Sequence, residues 1–135
     1  MSFNKNLIDS FVNITSKAAI SCFEYLGKND KNLADKAATD EMRKNLNLLD
    51  IDGKVVIGEG ELDEAPMLYI GEKLGTKKGA VIDIAVDPVE GTNFVSKNLP
   101  GGISVLAIAE KNNLCLLYTS PSPRDRTRSR MPSSA

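Results

Sequence analysis

The stretch AVIDIAVDPVEGT, residues 80–92, decides how the rest of the chain is read. Ala80 to Val86 form an apolar run broken only by Asp83, the pattern of a strand buried on both faces. Asp87 then stands at the C-terminal end of that strand. Pro88 suits a chain leaving a sheet, because it has no N–H to give to a neighbouring strand. Glu90 brings a second carboxylate, and Gly91 and Thr92 open a short helix expected over Gly91 to Lys97, with backbone N–H groups free at its start. Carboxylates hold divalent cations and a helix N-terminus accepts phosphate oxygens, so this combination suits a metal–phosphate site. A plain strand–turn–helix junction with Asp as the cap uses the same residues, and the motif alone does not separate the two.

Working outward, helices and strands alternate. Leu7, Ile8, Phe11, Val12, Ala18, Ala19, Cys22, Phe23 and Leu26 recur at mostly three- and four-residue steps, which predicts a helix within Met1 to Leu26, stopped by Gly27. A second helix is expected from about Asp30 to Leu48, capped by Asn29 or Asp30, with Leu33, Ala34, Ala37, Ala38 and Met42 on one side. Asp50 to Gly53 reads as a turn, with Asp52-Gly53 its strongest signal, and Lys54 to Ile57 as a short β-branched strand. Met67 to Ile70 fits no single type, Gly71 to Gly79 is turn-rich, and Gly102 to Ala109 reads as a further strand. The pattern predicts a layered α/β or α+β phosphatase-like architecture whose last strand needs neighbours from outside this sequence. An edge exposed along Gly102 to Ala109 predicts a chain that is poorly stable by itself.

Composition narrows the chemistry. The chain has 135 residues, 41% hydrophobic and 26% charged, with a formal net charge of −1 and no His. His-based triads and His metal sites are therefore excluded, and any cation must be a hard one held by oxygen. No apolar run approaches the roughly 18–20 residues of a membrane helix. No signal peptide is visible, and with Cys22 and Cys115 too few for a disulfide framework a cytoplasmic setting is the expectation. Cys22, on an apolar helix face, reads as a small core residue and not as a nucleophile.

The average hides a break. Residues 115–135, CLLYTSPSPRDRTRSRMPSSA, hold four of the five Arg and three of the six Pro. Without the four Arg and one Asp of this stretch, 13 Lys+Arg face 17 Asp+Glu, so residues 1–114 carry net −4. A basic, disordered tail that touches nucleic acid is one reading. The preferred reading is different. Cys115 to Asp125 and Ser129 to Ala135 resemble the conceptual translation of a transposase-type sequencing adapter, with Arg126 to Arg128 as its index. Residues 115–135 are accordingly set aside as a non-native disordered tail, and residues 1–114 are read as the N-terminal part of one domain. No nucleic-acid or membrane partner is expected.

Two further groups of acids accompany Asp87 and Glu90. Gly58-Glu59-Gly60-Glu61-Leu62-Asp63-Glu64 also follows a strand, and so many acids in one loop repel unless solvated or neutralised by cations. A solvated acidic loop is the ordinary alternative. Asp35 lies on the second helix beside Leu33 and Ala34; as an isolated residue it reads as an exposed helix acid or an i,i+4 partner of Lys31 or Thr39. Lys31 and Lys36 read as surface charges.

Taken together, these motifs carry a resemblance. Asp87-Pro88-Val89-Glu90-Gly91-Thr92 resembles the DP-(I/L/V)-(D/E)-G-T signature of the metal-dependent phosphomonoesterases of the inositol monophosphatase and fructose-bisphosphatase superfamily. With the stretch from Val56 through Glu72, and Gly27 to Asn32 with Ala34-Asp35 and Ala37-Ala38, the chain is similar to the class II, bacterial-type fructose-1,6-bisphosphatases, from the first helix to about Lys111. The resemblance implies a layered α-β-α sugar-phosphatase fold, present here as its N-terminal third, without part of the family's ligand set, so that the fragment by itself is expected to be inactive. It implies that Asp35, Glu59, Asp87 and Glu90 bind Mn²⁺ or Mg²⁺, that Glu90, Gly91 and Thr92 contact the substrate phosphate, and that Thr92 helps orient the attacking water. Asp63 matches an acid that the family needs for activity. The implied reaction is hydrolysis of the 1-phosphate of fructose 1,6-bisphosphate in gluconeogenesis, by a protein that forms a homo-oligomer when full length. Sedoheptulose 1,7-bisphosphate or another polyol phosphate is the nearest alternative substrate. A non-catalytic cation-binding module is the alternative from another class, and Thr92 separates it: a passive cation site has no need of that hydroxyl.

Overall fold

The computed structural model describes residues 3–59 and 67–115. Helix α1 spans Lys5–Ser21 and begins where the Asn4 side chain accepts a hydrogen bond from the Leu7 N–H at 2.8 Å. A 3₁₀ turn over Phe23–Tyr25 follows, and Gly27 at φ 71° ends the helical path. The expected single helix to Leu26 is thus divided. Helix α2 covers Lys31–Asn47, and of the two candidate caps it is Asp30 that accepts from the Asn32 and Leu33 N–H groups.

Four strands form one mixed sheet in the order β2-β1-β3-β4: β1 Ile51–Ile57, β2 Lys73–Leu74, β3 Ala80–Glu90 and β4 Ile103–Glu110. The central pair, β1 and β3, is parallel; β2 and β4 are antiparallel to their neighbours at the two edges. A five-residue helix α3, Thr92–Ser96, connects β3 to β4.

Three expectations are corrected. Asp52-Gly53 lies inside β1 and is not a turn. A Cβ at Gly53 would sit 2.6 Å from Ile84 Cδ1 and 3.2 Å from the Leu74 carbonyl, so the glycine is there for close packing across the sheet. Within the turn-rich stretch, Lys73–Leu74 pairs as an edge strand. Finally, β3 does not leave the sheet at Pro88 but continues to Glu90; the missing N–H is absorbed by a register shift between Asp87 and Glu90.

The helices pack on one face of the sheet. Ala34, Ala38, Met42 and Leu46 of α2, Ala18 of α1, and Ile51, Val55 and Ile84 of the central strands are completely buried. Fully burying a side chain such as Leu46 or Ile84 favours folding by about 1.5–3 kcal/mol, and these residues meet in one cluster. Leu33, expected on the buried side of α2, is exposed, as are Ile8, Val12 and Phe23 of the expected first helix face. The other face of the sheet presents exposed Lys54, Val81 and Val105. Among the described residues β4 pairs only with β3, so its outer edge is open, as the sequence predicts.

Candidate metal and phosphate site

The parallel pairing of β1 and β3 determines where the acids go. Ile57 pairs with Ala85, so two residues further on both strands deliver a carboxylate at the same end of the sheet, Glu59 from one and Asp87 from the other. Gly58 lets this approach happen, because a Cβ there would collide with the Leu68 carbonyl. The N-terminal half of α2 supplies Asp35 and, one turn later, Thr39. Helix α3 is held against the turn before α2: the Gly27 N–H donates to Val95 O at 3.1 Å and the Asn29 N–H to Ser96 O at 2.8 Å. Gly91, at φ 84° and outside the range that L side chains favour, turns the chain between Glu90 and Thr92.

The electrostatics show that these acids are neighbours. Burial pushes the Glu59 carboxyl up to about 7, and the charges of Asp35 and Asp87 add to the rise. Burial likewise raises Asp87 to about 6, helped by hydrogen bonding to Glu90 and by the charges of Glu90 and Asp35. Asp35 is raised by burial, with Glu59 pulling it partly back. Thr39 is close enough to Glu59 to lower it slightly, but its Oγ1 does not reach full hydrogen-bond geometry. Asp35 Oδ1, Thr39 Oγ1 and Glu59 Oε2 are all buried without a hydrogen-bond partner. Such orphaned acceptors are costly unless something positive occupies the space between them.

Among the described residues, no three of these groups yet surround a single point as a finished cation cage. The donor chemistry nevertheless fits a hard divalent cation: oxygen ligands only, two buried acceptor atoms without a donor, and carboxyls whose charged forms burial disfavours. A cavity of about 230 Å³ lined by Asn32, Asp35, Lys36, Thr39 and Met67 opens beside Asp35. Another, also about 230 Å³, lies between the 3₁₀ turn, Pro88 and the start of β4; its lining is mostly apolar and contains none of the acids.

Of the sequence-predicted residues, Asp35, Glu59, Asp87 and Glu90 are thus brought into one linked group. Gly91 and Thr92 follow directly, Thr92 half-buried as the first residue of α3. Asp63 lies outside the described residues. Lys36 is an exposed charge paired with Asp40 on its own helix. Sequence reasoning missed the part played by Thr39, read only as a helical neighbour of Asp35, and missed Arg43 and Glu72 altogether. A signal for Arg43 was present: it is the single arginine of residues 1–114.

A mixed sheet with helices on one face, and with acids gathered where its parallel strands end, defines an α/β protein. The fold is shared with an extragenic suppressor protein from Pyrococcus furiosus, at a TM-score of 0.53 and 18% identity, over 79% of this chain and 41% of that one. A family model described as bacterial fructose-1,6-bisphosphatase, glpX-encoded, matches residues 5–121, and the chain belongs to that family. Escherichia coli K12 fructose-1,6-bisphosphatase 1 class 2 is 50% identical over 107 residues, 79% of this chain and 32% of the relative. The class 2 fructose-1,6-bisphosphatase of Haemophilus influenzae is 49% identical over 109 residues, 81% of this chain and 33% of the relative. A Thermosynechococcus vestitus protein named D-fructose 1,6-bisphosphatase class 2/sedoheptulose 1,7-bisphosphatase is 49% identical over 115 residues, 76% of this chain and 33% of the relative. The chain therefore spans about a third of the length of the curated relatives it matches.

Proposed function

We propose that this chain is the cation-gripping portion of a phosphomonoesterase that removes the 1-phosphate of fructose 1,6-bisphosphate, giving fructose 6-phosphate and phosphate. The observation that carries the reading is that Asp35, Glu59 and Asp87, acids from three separate elements, are gathered at one end of the sheet, where Asp35 Oδ1 and Glu59 Oε2 are buried without a hydrogen-bond partner and burial raises all three carboxyls. Asp35, Glu59, Asp87 and Glu90 would hold Mn²⁺ or Mg²⁺. When bound, such cations supply positive charge against the phosphoryl oxygens and lower the pKa of the attacking water.

The chain's own groups do the rest. Thr92, at the first position of α3, directs its hydroxyl toward the water and orients it for in-line attack. The Glu90-Gly91-Thr92 turn binds the phosphate. Asp63 is assigned a further carboxylate that the reaction needs. No nucleophilic side chain is required: the chain contains no His, and Cys22 is buried with its thiol pushed up by that burial. No helix among the described residues is long and apolar enough to cross a membrane. A cytoplasmic setting, a role in gluconeogenesis, homo-oligomeric assembly when full length, and the non-native origin of residues 115–135 complete the reading.

The test is phosphate release by a full-length protein carrying this segment, with fructose 1,6-bisphosphate and Mn²⁺. Turnover that needs the cation supports the reading; its absence contradicts it. Hydrolysis of sedoheptulose 1,7-bisphosphate is a second reading, favoured by the double name of the Thermosynechococcus relative. It is distinguished by comparing kcat/KM for the two sugars.

A further inference from the structure

A cation can bridge Asp35 and Glu59 only if α2 and the end of β1 stand at one fixed offset, yet the two acids come from elements far apart in sequence. Arg43 lies two helical turns beyond Asp35 and one beyond Thr39, so the three occupy one stripe of α2. Its Nε donates to Glu72 Oε2 at 2.9 Å. Its Nη2 donates to Glu72 Oε1 at 3.0 Å and to the Met67 carbonyl at 2.5 Å. Glu72 is buried, and both its carboxylate oxygens are engaged by the guanidinium.

The segment gripped in this way is also laced to β1. The Val55 N–H donates to Glu72 O at 2.9 Å, the Gly71 N–H to Val55 O at 2.7 Å, and the Glu59 N–H to Leu68 O at 3.1 Å. Residues 67–72 are therefore a splint. Arg43 fixes one side of it to α2, and its backbone fixes the other side to β1 as far as Glu59.

We propose that Arg43, acting with Glu72, is a positioning residue that sets Glu59 opposite Asp35 by clamping this splint to the helix that carries Asp35. This inference rests on the cation-binding reading above. The planar fork of Arg is essential to it: a Lys keeps the charge but cannot engage both carboxylate oxygens and the carbonyl together.

The test uses a full-length protein carrying this segment, with Arg43→Lys and, separately, Glu72→Gln, which is close to isosteric. Amide hydrogen exchange and Mn²⁺ affinity by electron paramagnetic resonance are measured on each. Exchange at Glu59 is expected to quicken by about tenfold relative to Ala38 and Met42, whose amides report opening of the core as a whole. The Mn²⁺ dissociation constant is expected to rise by about tenfold or more, as for other residues that orient ligands from behind. A variant in which Glu59 exchange changes only in step with Ala38 and Met42 would overturn the clamp. So would faster exchange with unchanged Mn²⁺ affinity, since Arg43 would then be structural only. If Arg43→Lys fails to fold by circular dichroism, Glu72→Gln decides. A parent chain that binds no Mn²⁺ sinks the cation reading itself, while the exchange comparison still decides whether Arg43 holds Glu59.

Discussion

The middle of the sheet and its β4 edge are built from equally apolar sequence and serve opposite ends. In the middle, Ile51, Val55 and Ile84 are sealed beneath α2. At the edge strand, Ile103 is 56% exposed and Val105 40% on the face that carries no helix, where Val81 of the middle is 43% exposed as well, while Leu106 and Ile108 pack against the core. The acids hang from the middle: Glu59 follows β1, Asp87 lies in β3 and Asp35 rides on the helix above them. Repelling carboxylates can be held together only where packing is strong enough to oppose them, and these acids stand beside the sealed part of the sheet. Thr92 and α3 form the bridge from the central strand β3 to the edge strand β4.

The largest effect expected from this contrast concerns Thr92. In a full-length protein carrying this segment, Thr92→Ala should lower kcat by about 10²–10⁴-fold, the range for a group that positions or moves a proton in the transition state. Mn²⁺ affinity should stay within about twofold, because the acids are anchored elsewhere. Equal loss of both would favour a passive cation module. The 135-residue chain by itself should release no phosphate, and turnover by it would show that the open edge leaves nothing essential out.

Stability should divide along the same line. Leu46→Ala, in the sealed centre, should cost about 2–5 kcal/mol in a denaturant titration. Val105→Ala, at the open edge, should fall within about 0.5 kcal/mol. Similar costs at the two positions would erase the distinction between them.

A subtler effect is pH dependence. Glu59 at about 7 and Asp87 at about 6 both lie above their ordinary 4.5 and 3.8, so folding favours their protonated forms. The native chain binds more protons than the unfolded one in this window, and stability falls as pH rises. The contribution is complete below the ordinary values and is lost as pH climbs through about 6 to 7. The metal-free chain should therefore melt at a higher temperature at pH 5 than at pH 8. Saturating Mn²⁺ should reduce the difference by taking the place of the protons. A melting temperature that rises from pH 5 to pH 8 without metal would show that the acids are not crowded.

Much of this was legible in the sequence because it is local. The buried run Ala80–Val86 announces a central strand, and each acidic motif is seen to follow a strand, from which a common site can be reasoned. Asp30 could be read as a cap because its effect reaches only two or three residues along the chain. What failed depended on distant partners. Asp52-Gly53 has the chemistry of a turn, yet it is a strand because Ile84 leaves room for no side chain there. Pro88 has the chemistry of a strand exit, yet the sheet accommodates it with a register shift. The pairing of Arg43 with Glu72 joins residues 29 apart, and no local pattern marks it.

The central claim is that Asp35, Glu59 and Asp87 act on one bound cation group. It is tested most directly by titrating Mn²⁺ into a full-length protein carrying this segment and into its Asp35→Asn, Glu59→Gln and Asp87→Asn variants, with folding checked by circular dichroism. Each substitution should weaken binding by about tenfold or more, and a pair of substitutions should cost less than the sum of the two, as expected for ligands that share one site. Full-strength binding in all three, or strictly additive losses, would mean that the acids do not share a cation.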